Sequence, residues 1–266
     1  MTRSAREALG RVATGLPPTG LMEVVAMADL QTRMDRKYLV PSEVFEQFAA
    51  IMGGRLAALD IDGRRLFRYE SVYFDTTWLT AYRQHAHGRR RRFKVRTRSY
   101  LDSAECVFEV KTEGGRGETV KDRLPYSLTD RYRLTDQARA FALPRVGDPA
   151  LVTDLVDVLT TAYVRTTLVD PECGSRITCD VDLSFDNGGQ RRHGPPTLVL
   201  VESKTAGAAA VADSVLWRLG QRPVSVSKYC VGLALLRPEL PANRWNRELR
   251  THFGWTPRRE AYQPGR

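Results

Sequence analysis

Only six of the 41 basic residues in this sequence are lysines: Lys37, Lys94, Lys111, Lys121, Lys204 and Lys228. Arginine supplies the general positive charge. A compact, strongly hydrated ammonium at these six places therefore asks for a particular task. Five of the six fall inside or beside strand-like segments. In a strand, successive side chains point to opposite faces. Arg92, Lys94, Arg96 and Arg98 then share one face with Tyr100, while Phe93 and Val95 take the other. The same alternation sets Glu109 and Lys111 against Phe108 and Val110, and Tyr163 and Arg165 against Val164. It sets Asp180 and Asp182 against Ile177, Cys179, Val181 and Leu183, and Glu202 and Lys204 against Val199 and Val201. Tyr73 and Asp75 share a face, as do Arg33, Asp35 and Lys37. Cations in consecutive same-face positions repel one another and are tolerable where a polyanion or a ring of carboxylates lies opposite.

The elements that must position these residues read as follows. Strands are expected at 68–75, 90–100, 105–112, 123–127, 161–169, 176–185 and 197–205, after an extended stretch over 32–40. Pro41-Ser42 opens a helix whose apolar positions Val44, Phe45, Phe48, Ala49 and Met52 keep the helical period, and Gly53-Gly54 stops it. Further helices are expected at 128–142, 149–160, 207–219 and 227–236. Residues 1–20 read as a loose N-terminal arm, 21–237 as the folded domain, and 238–266 as a basic C-terminal tail that packs as a short helix or stays mobile. For one strand, an open antiparallel sheet with a wet face explains charged alternation. Seven such strands, one with four cations in consecutive same-face positions, point instead to a closed barrel with a charged interior and helices packed outside. The fold class is therefore α+β.

Composition narrows the choice. The chain has 266 residues, 42% hydrophobic and 27% charged, enough to bury a core. No apolar run reaches the length of a membrane span and no leader opens the sequence, so the expectation is a soluble, cytoplasmic protein. Cys106, Cys173, Cys179 and Cys230 form no CxxC pair and read as buried free thiols. The net charge of +10 is partly peripheral, yet Arg83 to Arg98 holds eight basic residues and no acidic one.

In order along the chain, Arg36-Lys37-Tyr38, Ser71-Val72-Tyr73-Phe74-Asp75-Thr76, Lys94-Val95-Arg96-Thr97-Arg98, Phe108-Glu109-Val110-Lys111, Val120-Lys121-Asp122-Arg123, Tyr163-Val164-Arg165-Thr166, Leu200-Val201-Glu202-Ser203-Lys204 and Ser227-Lys228-Tyr229 occur. This series resembles the VTC domain, the polyphosphate polymerase domain of the triphosphate tunnel metalloenzyme (CYTH-like) superfamily. The resemblance covers about residues 30–236. It implies a closed eight-stranded antiparallel barrel, the triphosphate tunnel, and a divalent metal, Mn2+ or Mg2+. It implies ATP or another triphosphate and inorganic polyphosphate as partners. Carried over by position, catalytic roles fall on Lys37, Arg96, Arg98, Lys111, Arg165 and Lys204, substrate binding on Lys121 and Lys228, and the metal on Glu202. Arg92 and Lys94 join the substrate-binding set because they share the face of Arg96. Where the superfamily opens with Glu-x-Glu-x-Lys, this chain has Arg33-Met34-Asp35-Arg36-Lys37. The arginine removes an acidic ligand and favours the polymerase branch.

The expected reaction is metal-dependent transfer of the terminal phosphoryl group of ATP to a growing polyphosphate chain. Hydrolysis of tripolyphosphate or nucleoside triphosphates is the alternative, with Glu109 or Asp182 as base, and a non-catalytic polyphosphate-binding module is a third reading. Asp180, Asp182 and Glu109 are expected mainly to pair with neighbouring cations. Nucleic acid is disfavoured because few aromatics, Phe93 and Tyr100, interleave the basic run. Residues 113–118 are glycine-rich but lack P-loop spacing and read as a hairpin loop. His85 and His87 read as an exposed loop pair. No transmembrane segment is present, and a membrane-bound partner is left unknown.

Overall fold

In a computed structural model of the chain, residues 4–26, 34–113, 119–205 and 209–257 are described. In chain order the elements are α1 (Ala5–Gly15), β1 (Pro18–Thr19), α2 (Leu21–Ala26), β2 (Met34–Pro41), α3 (Ser42–Met52), β3 (Ala57–Leu59), β4 (Phe67–Thr76), α4 (Thr80–Ala86), β5 (Arg92–Tyr100), β6 (Glu105–Glu113) and β7 (Thr119–Tyr126). They continue with α5 (Asp136–Val146), α6 (Pro149–Thr153), β8 (Leu155–Asp170), β9 (Ser175–Asp186), β10 (Arg191–His193), β11 (Leu198–Thr205), α7 (Val211–Arg218), α8 (Lys228–Leu236) and α9 (Asn246–Phe253). Two compact units result. The first comprises Met1–Arg68, Tyr163–Leu183 and His193–Ser225; the second comprises Tyr69–Ala162, Ser184–Arg192 and Val226–Arg266.

The strand order is β2-β11-β9-β8-β4-β5-β6-β7, with β1, β3 and β10 beside it. This corrects the expected closed eight-stranded barrel: among the described residues the sheet is open and eleven-stranded, and β2 and β7 end its order. The sequence of β7 explains why it makes an edge. Pro125 has no N–H to donate, and Lys121, Asp122 and Arg123 charge the strand, both features of sheet edges.

In the first unit, one sheet face is apolar. Tyr38, Val40, Val164, Leu168, Ile177, Cys179, Val181, Val199 and Val201 pack beneath α1, α3 and α7, which contribute Ala5, Leu9, Phe45, Phe48, Met52, Val215 and Leu216. Each large aliphatic or aromatic side chain so buried contributes about 1.5–3 kcal/mol. The N-terminal stretch is thus no loose arm over 5–15: Ala5, Ala8, Leu9 and Ala13 are buried along one side of α1. Asp213 clasps α7 to β2, accepting from Tyr38 Oη at 2.7 Å and from the backbone N of Ala210 at 2.9 Å.

In the second unit, Val72, Phe74, Phe93, Val95, Phe108 and Val110 pack against Ala138 and Ala142 of α5 and Val152 of α6. Two helix expectations change here. The stretch 128–142 forms a 3-10 turn at Leu128–Asp130 and then α5, which Thr135 caps and Gly147 ends at φ 76°. The expected helix 149–160 stops at Thr153, and β8 begins at Leu155. Of the tail, the described residues 238–257 pack: Trp245 and Trp255 are buried, and Trp255 Nε1 donates to Ala234 O at 2.8 Å. Cys106, Cys179 and Cys230 are buried as expected, but Cys173 is exposed in the turn before β9. No helix among the described residues is long and apolar enough to cross a membrane. Arg33 and residues 114–118 of the expected hairpin loop lie outside the described residues.

Candidate phosphate-binding faces

Strand register builds one polar face in each unit. In the first, Lys37 lies directly opposite Glu202, and Asp35 opposite Lys204. On the other side of β11, Glu202 faces Thr178 and Leu200 faces Asp180. Lys204 Nζ is 2.8 Å from Glu202 Oε1. Arg165, only 8% exposed, forks onto the buried Asp180 with Nε–Oδ1 2.6 Å and NH2–Oδ2 2.8 Å. Its guanidinium carbon lies 5.2 Å from the centre of the Tyr163 ring. Burial pushes the Glu202 carboxyl up, but Lys204, Lys37 and Arg165 outweigh it and hold the group well below its usual range. Burial brings Lys204 down to about 8, against the pull of Glu202 and with the help of Arg165.

In the second unit, β5 alternates as expected: Phe93, Val95 and Thr97 are buried, while Arg92, Lys94, Arg96 and Arg98 are half-buried on the other face. Register then aligns three lysines in one row across three strands, Lys94 opposite Lys111 and Lys111 opposite Lys121. The next row is Tyr73, Arg96, Glu109 and Arg123. Glu109, 1% exposed, is the anchor of this face. It accepts from Arg96 Nε at 2.7 Å and Arg123 Nε at 3.1 Å, and Lys121 Nζ lies at 3.2 Å. Burial raises its pKa, yet Arg96, Lys121 and Arg123 win and hold it at about 2. Burial lowers Lys121 to about 8. Arg98 reaches Glu109 only at 3.8 Å, and its buried Nε has no hydrogen-bond acceptor among the described residues. That nitrogen is a donor with capacity to spare for an anion.

Arg92 closes the end of this face by pairing with Glu113. Lys228 opens α8, where the neighbouring Ser227 Oγ accepts from Lys94 Nζ at 3.2 Å. The sequence-predicted residues thus gather in two sets: Lys37, Arg165, Glu202 and Lys204 in one unit, and Arg92, Lys94, Arg96, Arg98, Lys111, Lys121 and Lys228 in the other. Asp180 and Glu109 pair with cations as expected. Asp182 does not join Asp180. At φ 53° its backbone turns off the strand pattern, and its exposed carboxylate meets Arg6. His85 is no exposed loop residue; it sits half-buried in α4 with Nε2 3.1 Å from Phe93 O. Burial, with Lys94 nearby, lowers its pKa to about 3.

Sequence reasoning gave no role to several supporting residues. Tyr73 Oη accepts from Arg96 at 3.1 Å and the Tyr73 ring stacks on Tyr229 with centroids 5.0 Å apart. Asp75, fully buried, accepts from the N–H groups of Thr76, Ala81 and Tyr82 and from Tyr229 Oη. The parity of Tyr73 and Asp75 on β4 was the one signal available for them.

Compared with known families, residues 32–237 match the profile of the VTC domain. The chain belongs to the VTC domain family. Among solved structures, this VTC protein shares its fold with a putative adenylyl cyclase from Hippeastrum described as having a dominant triphosphatase activity. The two are 14% identical, the match covers 76% of this chain and 96% of that one, and the TM-score is 0.51. A putative adenylate cyclase from Vibrio parahaemolyticus (13% identity; 71% and 82% covered; TM-score 0.38) and the PH1819 protein from Pyrococcus horikoshii (12%; 72% and 92%; 0.39) also match. No curated protein matches the chain.

Proposed function

We propose that this VTC-family protein is a polyphosphate polymerase, moving the terminal phosphoryl group of ATP onto the end of a polyphosphate chain. The observation that carries this reading is the lysine row of Lys94, Lys111 and Lys121 across adjacent strands. Three ammonium groups in register concentrate positive charge along one line of the sheet, which suits a phosphate chain laid along the row. In the reaction an oxygen of the terminal phosphate attacks the γ-phosphorus of ATP. One P–O bond forms, the bond to the β-phosphate oxygen breaks, and ADP leaves. Charge neutralisation and alignment are the main requirements of such a step. On the face of the second unit, Arg96 and Arg98 supply planar forks for phosphate oxygens and Lys111 a point charge; on the face of the first, Arg165 supplies a fork and Lys37 and Lys204 point charges.

Transfer to a phosphate is favoured over transfer to water by the state of the carboxylates. Glu109, Asp180 and Glu202 are each held by cations, and Glu109 and Glu202 are acidified. Such groups are poor bases for activating water, whereas a phosphate acceptor is already an anion. Among the described residues no group of three or more His, Cys, Asp or Glu side chains gathers to hold a metal. Glu202, with Asp35 on the same face, offers hard oxygen donors, which suits Mg2+ or Mn2+ completing its shell with phosphate oxygens and water. When bound, such an ion neutralises charge developing between the phosphates.

Purified protein incubated with Mn2+ and ATP should yield products resolved on a gel as a ladder of phosphate chains. Glu202→Gln should lower turnover and weaken Mn2+ binding in the presence of the triphosphate. Hydrolysis is the second reading, supported by the triphosphatase description of the Hippeastrum protein. If ATP and tripolyphosphate release free phosphate alone, hydrolysis replaces polymerisation.

A further inference from the structure

Beyond the two polar faces, the second unit carries an exposed arginine surface used neither for packing nor for the proposed transfer. Residues 76–101 contain no acidic side chain. After α4 the chain turns sharply: His87 N donates to Arg83 O and Arg89 N to Gln84 O, both at 2.9 Å. The turn leaves Arg83, Arg89, Arg90 and Arg91 exposed. Arg244, distant in sequence and also exposed, joins them through NH1, 3.3 Å from His85 O. Gly88, at φ 64°, makes room for it, because a Cβ at that position would lie 3.1 Å from the same nitrogen. Among the described residues no carboxylate pairs with any of these five. Arg83 and Arg244 donate to backbone carbonyls instead.

Five guanidinium groups gathered without a counter-charge repel one another, and a bound polyanion lowers that cost. The chemistry of the surroundings selects among polyanions. Single-stranded nucleic acid is held on successive aromatic platforms. A bilayer surface takes up several apolar side chains beside the basic ones. Trp78, 79% exposed beside Arg83, is a single ring and makes neither. Arginine forks match phosphate oxygens and require no base or acyl chain. The run also leads straight into the lysine-bearing strand: Arg91 is followed by Arg92, Phe93 and Lys94. Arg89 and Lys94 are five positions apart, a reach of at most about 18 Å.

We infer that Arg83, Arg89, Arg90, Arg91 and Arg244 form an exterior secondary site for inorganic polyphosphate, engaging the distal part of a long chain whose end lies on the lysine row. The inference rests on the polyphosphate reading and adds chain-length preference to it. Linked contacts of this kind raise the affinity of long chains without any new contact for short ones.

The test is binding of long-chain polyphosphate and of tripolyphosphate to the full chain, wild type against R89Q/R90Q/R91Q. The variant should weaken long-chain binding by about tenfold or more, flatten its salt dependence by about two in log–log slope, and leave tripolyphosphate binding within about twofold. R244Q, in a segment distant in sequence, should move the same way, and it decides the matter if the triple variant does not fold. Equal loss for both ligands, or no loss for long chains, overturns the inference. So does tighter arginine-dependent binding of phosphatidylserine vesicles or of a single-stranded oligonucleotide. If tripolyphosphate fails to bind the wild type while long chains still bind through these arginines, the transfer reading falls and the exterior site stands.

Discussion

Two lysines, one on the polar face of each unit, give phosphate binding a pH response with a definite sign. Burial brings Lys121 and Lys204 down to about 8 in the free protein, each beside a carboxylate and at least one arginine. A phosphate placed against either ammonium favours the charged form, so its pKa rises on binding and the complex takes up protons near pH 8. Affinity is then full below that value and declines as pH rises through it. The Kd for tripolyphosphate should increase about tenfold between pH 7 and pH 9.5. A K121R/K204R variant, whose guanidinium groups stay charged throughout, should show a much flatter profile whatever its absolute affinity. Calorimetric titrations across that range check it, and parallel profiles for the two proteins would remove both lysines from the binding step. Glu109 keeps its charge over this window, being held at about 2 by its cations. It contributes no slope of its own.

At the level of elements, α8 carries the tightest packing constraint. A Cβ on Gly232 would stand 2.5 Å from Phe185 Cδ1 and 3.0 Å from Leu159 Cδ2. Gly232→Ala gains about 1 kcal/mol in helix propensity, but forcing a methyl into a closed core costs about 1–3 kcal/mol or more. With a buried ring as the obstacle, the clash wins. The variant should unfold at lower urea by a net of about 1–2 kcal/mol, and it should also weaken phosphate binding, since α8 sets Ser227 against Lys94. A stabilised variant would show that α8 shifts freely. Such packing has no signature in sequence, whereas the strands were legible because a two-residue alternation of charge and apolar side chains survives in β5, β9 and β11. The alternation also located the cations and Glu202, Asp180 and Glu109. It failed where two periods coincide. Val152, Leu155, Val156 and Leu159 fit a helical stripe, yet the segment rich in β-branched residues (Val156, Val158, Thr160 and Thr161) goes into β8. It failed again at α4, whose first N–H groups are satisfied by Asp75 from the preceding strand rather than by a residue at its own start. In α1, Gly10 and Gly15 masked a helix that the core beneath it stabilises. The bend at Asp182 left no trace in the pattern, so parity placed it wrongly beside Asp180.

For the molecule as a whole, the cations that suit it to a phosphate chain also burden its stability. The net charge is +10, and Glu109 alone holds Arg96, Arg98, Lys121 and Arg123 within 4 Å. Its folded pKa lies below the unfolded value, so its contribution is complete above about pH 4.5 and is lost as pH falls toward 2. Glu109→Gln leaves the four cations without that charge, and breaking a buried ion cluster from one side costs about 3–5 kcal/mol. A ligand that binds only the folded chain adds stability by mass action, about 2.7 kcal/mol at a hundred times its Kd. Polyphosphate should therefore raise the melting temperature of the wild type. It should raise that of Glu109→Gln further, because phosphate takes over the role of the missing carboxylate. The variant should also lack the wild type's loss of stability between pH 4.5 and pH 2. Thermal melts with and without polyphosphate, repeated at both ends of that range, measure all three effects. An equal rise in the two proteins would mean that phosphate does not lie against Arg96, Lys121 and Arg123, and the lysine row beside them would lose its ligand with it.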